Sequence, residues 1–170
     1  MVLSWAGFGL RALGRPAEAV EAMKASVEMA VQQKEWKAAA IRANNLSELE
    51  LARGAVARAV EAGRRAGAFA DHRGDLAWRM VSRTCHAEAL ARLGHTDEAA
   101  ALFEEAEVLQ KEHQPEYPFL YSLFGFRICD LLLEAGKPQE VRQRAEKTIG
   151  IAIRNDWELD KGLDQLNLGR

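Results

Sequence analysis

The sequence is poor in the residues that loops, disulfide bridges and metal sites use. Its 170 residues include four prolines and two cysteines, and aromatic residues make up 7%. It contains no Cys-x-x-Cys or His-Glu-x-x-His spacing and no Walker-type phosphate-binding loop. No apolar run approaches the roughly 18 residues that a membrane span needs. We therefore predict no catalytic site, no cofactor, no metal and no membrane partner.

The sequence carries nearly equal numbers of basic and acidic residues, which limits the kinds of partner that we expect. Lysine and arginine number 23 against 25 acidic residues, so the net charge is −2. This balance gives no general attraction to nucleic acid, and we predict none as a partner. A helix-rich sequence with only Cys85 and Cys129 is typical of a reducing compartment. We predict a cytoplasmic protein with both thiols in its core.

What the sequence does have is an internal repeat. The segments LGRPAEA, LGHTDEA and AGKPQEV begin at positions 13, 93 and 135, and a weaker copy, ARGAVARA, begins at position 52. Their glycines at 14, 54, 94 and 136 are 40, 40 and 42 residues apart. A period between 20 and 50 residues indicates stacked supersecondary units rather than a globule around one centre.

Each repeat reads as two antiparallel helices. Glycine ends one helix, and amphipathic apolar spacing marks the next. We predict an all-α, single-domain α-solenoid of about four helical hairpins plus a ninth partial helix. The units are residues 1–34, 35–74, 75–115, 116–156 and a partial 157–170, with the seventh helix at 116–135. We expect these residues to be part of a longer protein.

At this point the units resemble tetratricopeptide (TPR) repeats. In the third unit the characteristic small, large, glycine and aromatic positions fall on Ala87, Leu90, Gly94, Ala99, Phe103 and Ala106. The second unit matches least well, with Ser47, Glu50, Gly54, Ala59, Gly63 and Ala66. The resemblance implies a right-handed superhelix. Because TPR units have about 34 residues, these longer units also resemble the sensor arms of bacterial signalling ATPases.

The same resemblance implies that the first helix of each hairpin lines a concave groove. The predicted partner-binding positions on it are Asn44, Glu48, Thr84, Glu88, Phe126 and Asp130. Their carboxylates form a stripe that could accept a basic or polar peptide. The alternative is a solvated face whose charges are offset by arginines such as Arg42, Arg83 and Arg92.

These features predict a non-catalytic scaffold that binds a protein or peptide segment in the groove. The alternative is a ligand-sensing regulatory arm of a larger signalling or transcription-regulating ATPase. Aromatic residues near the start of successive units, Trp36, Trp78, Tyr117 and Trp157, are interpreted as anchors between helices, with an exposed ridge as the other reading. Leu159, Leu163 and Leu166 predict self-association through an exposed terminal face, or a displaced last helix.

Overall fold

The computed structural model describes residues 2–72, 75–117 and 119–170, with side chains from residue 6 onward. Nine helices occupy these ranges, and no strand occurs in them. They are α1 (Val2–Ala12), α2 (Pro16–Gln32), α3 (Trp36–Ala52), α4 (Val56–Asp71), α5 (Leu76–Leu93), α6 (Thr96–His113), α7 (Ser122–Glu134), α8 (Pro138–Asn155) and α9 (Glu158–Gly169). The predicted all-α helical repeat is confirmed.

The four repeat glycines end the first helix of each hairpin. Gly14, Gly54, Gly94 and Gly136 have φ angles of 71°, 74°, 89° and 71°. A left-handed backbone at this position strains other residues but not glycine, and it lets the chain reverse within a few residues. The turns are therefore short, and each hairpin is antiparallel.

The helices form two layers. Each helix packs on its neighbours in the chain, and α3, α5, α7 and α9 also pack on one another in succession. No comparable packing links α2, α4, α6 and α8 among the described residues. The layer whose members touch follows the shorter arc, so the odd-numbered helices occupy the inner side of the curve.

The core runs along the stack between these layers. One cluster centres on Phe103, which is 1% exposed, and extends from Met80 to Val141. Smaller clusters fill the first two hairpins. Both cysteines are buried in this core, as predicted. Burial raises the pKa of Cys85 to about 12 and that of Cys129 to about 11, so neither thiol forms a thiolate readily.

The prediction for the seventh helix was wrong at its start. The helix begins at Ser122 rather than at residue 116. The sequence has prolines at 115 and 118, which lack an N–H and disfavour helical backbone in the residue before them. Position 118 lies outside the described residues. The segment before α7 is held by the N–H of Leu120, which donates to Glu107 at 3.1 Å, and by the Tyr121 hydroxyl.

The four aromatic residues that follow the repeat period are half-buried. Trp36 stacks on His72 with ring centroids 4.4 Å apart, which ties the start of α3 to the end of α4. Trp157 stacks on Tyr121 at 5.5 Å and fixes the start of α9 beside the segment that precedes α7. These contacts agree with the interpretation of the aromatics as anchors between helices.

Candidate ligand-binding face

The predicted acidic residues do lie on one surface, which we call the inner face. Glu48 is on α3, Glu88 on α5 and Asp130 on α7. These three helices pack in succession, so their carboxylates follow one another along the layer. The side chains are 38%, 20% and 19% exposed, respectively. They are accessible at their edges rather than projecting freely into water.

Arg127 of α7 joins the first two carboxylates. One of its terminal nitrogens, Nη2, donates to Glu48 Oε1 at 2.9 Å, and its Nε lies 2.7 Å from Glu88 Oε2. The Nε–H is not directed at that oxygen, so the second contact is a charge contact without an aligned hydrogen bond. Nη1 lies 3.5 Å from the Cys85 sulfur. Only 9% of the Arg127 side chain is exposed.

A second network surrounds Asp130. Arg92 of α5 donates to one oxygen of Asp130 at 3.5 Å, and Arg170 donates to the other. Arg92 also lies 3.9 Å from Glu134. The guanidinium of Arg170 sits over the ring of Phe126 at 5.1 Å, which is a cation–π distance. Phe126 is itself half-buried, so this aromatic is partly covered by the arginine.

The inner face is therefore not a bare acidic stripe. The two networks contain four carboxylates and three guanidinium groups, so the excess is a single negative charge. Burial raises the pKa of Glu88, and Arg127 opposes that shift. Glu88 is thus a mostly buried carboxyl held against Arg127, whereas Glu48 combines an ion pair with substantial exposure.

Two of the predicted groove residues do not reach the surface. Asn44 is 4% exposed, and its amide donates to the Ser82 hydroxyl at 3.1 Å. Thr84 is 0% exposed, and its hydroxyl donates to the Val81 carbonyl at 2.8 Å. Asn44 faces α5, the neighbouring helix of the inner layer, whereas the Thr84 hydroxyl bonds within its own helix. Asn44 and Thr84 are therefore packing residues in this structure, and they offer a partner almost no accessible surface.

The arginines expected to offset the stripe have different partners. Arg42 donates to the Ser26 carbonyl at 2.7 Å, and Arg83 pairs with Asp71 and Glu105. Arg92 alone of the three reaches an acid of the inner face. Sequence reasoning missed Arg127, because the equivalent positions of other units hold Asn45, Cys85 and Asn167. The available signal was a lone arginine among apolar residues of α7, one position after Phe126.

The chemistry that the described side chains offer at this face is ionic. The recess between Glu88, Arg92, Arg127 and Asp130 holds about 10 Å³, which is room for about one water molecule. Within the described ranges, no group of three or more histidine, cysteine, aspartate or glutamate side chains could hold a metal ion. None of the helices described is long and apolar enough to cross a membrane.

Known structures share this fold. Two crystal structures from Podosopora anserina, both described as a putative kinesin light chain with nearly identical TPR-like repeats, superpose with TM-scores of 0.74 and 0.72. Each is 19% identical to this protein, and each match covers 98% of this chain and 82% of the other. No family model matches the sequence, and no curated protein matches it. The likeness establishes a TPR-like helical repeat fold.

Proposed function

We propose that this protein is a non-catalytic scaffold whose inner face binds a peptide or protein segment carrying a basic side chain. The observation that supports the proposal is the row of partly exposed charges across α3, α5 and α7, extended by Arg170 just after α9. Preformed helices present these charges, so most of the ordering cost of binding falls on the ligand. An extended segment could follow the row from one hairpin to the next.

Glu48 is the strongest contact point for a basic ligand. Arg127 engages its Oε1 atom, and the side chain remains 38% exposed. A lysine or arginine of the ligand would add a second charge partner to this carboxylate. Asp130 is less accessible, because two arginines already contact it. We therefore expect modest affinity that falls as salt rises, since exposed ion pairs are screened.

The ligand-sensing arm of a larger ATPase is the competing function. A small-molecule site is usually a concave, largely apolar pocket of about 300–1,000 Å³. The charged recess beside Arg127 is far below that size, at about 10 Å³. This comparison favours an extended ligand over a small molecule at the inner face.

A random peptide library selected against the purified chain tests the proposal. We expect the enriched peptides to carry lysine or arginine. Glu48→Lys should weaken their binding about tenfold, or ~1.4 kcal/mol, by fluorescence anisotropy. Glu48 is a better position than Glu88, because its side chain is 38% exposed against 20% for Glu88, so a lysine at 48 can turn away from Arg127 into solvent.

Glu146→Lys is the matched control. Glu146 lies on α8, in the outer layer, and its half-exposed side chain pairs only with Arg142 at 2.9 Å. The same charge reversal there should leave binding unchanged. Peptides that bind Glu48→Lys as tightly as the unmodified chain, or enriched peptides without basic residues, would refute the proposal.

A further inference from the structure

An open cavity, which we call the outer cavity, lies between α2 and α4 with α3 as its floor. It holds about 330 Å³, and the residues that line it include Lys24 of α2, Leu46 and Glu50 of α3, and Arg58, Ala62 and Arg65 of α4. This volume falls within the range of small-molecule sites. Residues two apart on a helix do not share a face, so Glu50 lines this cavity while Glu48 lies on the inner face.

The departures of the second unit from the repeat pattern shape this cavity. Glu50 occupies the repeat position that Leu90 has in the third unit, and it is only 1% exposed. Ala62 occupies the position of Leu102, which packs against the main core cluster. A short side chain therefore leaves space beside Leu46, and a buried carboxylate replaces an apolar side chain at the floor.

Two arginines share the carboxylate of Glu50. Arg53 donates to its Oε2 atom at 3.0 Å, and the Nε of Arg58 lies 3.3 Å from Oε1. Arg53 is 25% exposed, whereas Arg58 is 61% exposed. Because Arg58 uses Nε for this contact, its two terminal nitrogens remain available to a ligand within the part of the chain that the structure describes.

The ion pairs around the outer cavity contain one cation in excess. Five cations and four carboxylates form them: Lys24, Arg53, Arg58, Arg64 and Arg65 with Glu21, Glu28, Glu50 and Glu61. The other three carboxylates each have one of these cations, so the surplus lies at Glu50, where Arg58 is the more exposed of the two arginines. This surplus favours a ligand with one negative charge.

The neighbouring cavity between α4 and α6 lacks such a surplus. It holds about 350 Å³, and the ion pairs around it contain three cations and three carboxylates: Arg64, Arg79 and Arg83 with Glu61, Asp71 and Glu105. Burial lowers the pKa of His86, which also lines it, so this ring adds no charge at neutral pH. Charge therefore distinguishes the outer cavity from a neighbour of similar size.

We propose that the outer cavity binds a small molecule with an apolar body and a single carboxylate. The body lies against Leu46 and Ala62, and the carboxylate meets the terminal nitrogens of Arg58, whose planar fork matches its two oxygens. Arg65 donates to Glu28 of α2 at 2.6 Å and closes the space between the helices two turns further along α4. The cavity opens away from the inner face, so this proposal is independent of the proposed function.

Titration with phenylbutyrate at neutral pH, followed by two-dimensional amide NMR, is the first test. Phenylbutanol and phenylbutylamine have the same apolar body but are neutral and positively charged. We expect phenylbutyrate to bind with a dissociation constant of about 0.1–1 mM, as suits a small ligand. The alcohol and the amine should bind about tenfold more weakly, because they lose a charge-assisted hydrogen bond. The amide signals of Leu46 and Ala62 should shift on binding.

Two variants test the two parts of the site separately. Ala62→Leu introduces the side chain that the third unit has at this position, and it should abolish binding by filling the cavity. Arg58→Gln should weaken phenylbutyrate about tenfold and leave phenylbutanol unchanged. Arg142→Gln is the matched control, because Arg142 of α8 is 70% exposed in an ion pair with Glu146. This control should bind phenylbutyrate as the unmodified chain does.

Three titration results would overturn the proposal: no saturable shifts up to about 10 mM ligand, equal binding of the three ligands, or shifts confined to the exposed leucines of α9. Undiminished binding by Ala62→Leu would overturn it as well, as would an Arg58→Gln variant that keeps the preference for the carboxylate. Helical content and thermal unfolding check that both variants fold. If Ala62→Leu does not fold, Arg58→Gln decides, because Arg58 is 61% exposed.

Discussion

The second and fourth hairpins build the same fold in different ways. Every buried residue of α4 is alanine or glycine: Ala59, Ala62, Gly63, Ala66, Gly67 and Ala70. The helices of this hairpin pack closely along their length. In the fourth hairpin α7 buries Ile128, Cys129, Leu131 and Leu132, and α7 touches α8 much less extensively. Helix α7 is also shorter than α3, with 13 residues against 17, so less of its length is available to pack on its partner.

The comparison shows that two hairpins with the same repeat register can be stabilised by different interactions. In the second hairpin, small residues allow direct backbone approach. In the fourth, Arg144 of α8 pairs with Glu107 of α6 through two contacts of 2.6 and 3.0 Å and lies 4.7 Å from the Phe119 ring. A mostly buried ion pair therefore ties α8 to α6 of the preceding hairpin, where the contact between α7 and α8 is limited.

The largest expected loss of stability comes from removing the ion pair between Arg144 of α8 and Glu107 of α6. Arg144→Ala leaves Glu107, 19% exposed, with the Leu120 N–H as its one remaining partner among the residues that the structure describes. Stranding a mostly buried charge should lower the free energy of unfolding by about 2–4 kcal/mol, measured by urea denaturation. Arg142→Ala, in an exposed pair on the same helix, should cost less than about 0.5 kcal/mol. Equal losses of stability in the two variants would mean that the ion pair of Arg144 does not stabilise the fold.

The close packing near the second hairpin can be broken by one methyl group. A Cβ at Gly63 would lie 2.9 Å from the His86 Cα of α5. Gly63→Ala should therefore destabilise the chain by about 1–3 kcal/mol, because backbone must move. Gly150 of α8 is the matched control, with no atom nearer than 3.8 Å. Gly150→Ala should stabilise by about 0.5–1 kcal/mol through helix propensity. Thermal unfolding of both variants checks this, and the same sign for both would contradict it.

Beyond the fourth hairpin, the contact between α9 and α8 includes a buried carboxyl, Asp164, which accepts a hydrogen bond from Thr148. Burial raises the pKa of Asp164 to about 6, from an ordinary value of 3.8. The folded state then binds more protons between about pH 4 and 6, so this carboxyl's contribution to stability falls as pH rises through that window. Asp164→Asn keeps an oxygen for Thr148 and should add about 1–3 kcal/mol at pH 7.5.

The difference between Asp164→Asn and the unmodified chain should shrink to near zero below about pH 4, where both side chains are neutral. Urea denaturation at several pH values measures it. The test uses the difference in stability between the two proteins rather than the pH dependence of either one. Carboxyls with a lowered pKa, such as Asp71, contribute to that pH dependence with the opposite sign. A difference in stability that stays constant with pH would show that burial does not raise the pKa of Asp164.

Much of the fold could be predicted from the sequence, because local chemistry determines it. The four glycines mark turns, and α6 begins and ends where the apolar spacing indicated, at Thr96 and His113. The start of α7 was missed because helical periodicity outweighed the two prolines near it. The second unit matched the repeat pattern least well, yet its alanines and glycines pack its helices closely.

The candidate face was harder to predict, because it depends on contacts between distant residues. Glu48, Glu88 and Asp130 share a repeat position, and repeat symmetry places them on one surface. That symmetry says nothing of Arg127, which breaks the pattern of its own position. Nor could it separate Asn44 from Glu48. Residues four apart lie on the same side of a helix, yet Asn44 is 4% exposed and the Glu48 side chain is 38% exposed.

The contact between Glu48 and Arg127 tests the inner face most directly. These residues are 79 positions apart and belong to hairpins that are not adjacent in sequence. A double-mutant cycle with Glu48→Gln and Arg127→Gln, read by urea denaturation, should give a coupling of about 0.5–1.5 kcal/mol, discounted for the exposure of Glu48. Strictly additive effects would contradict the continuous inner layer and the ion network that it carries.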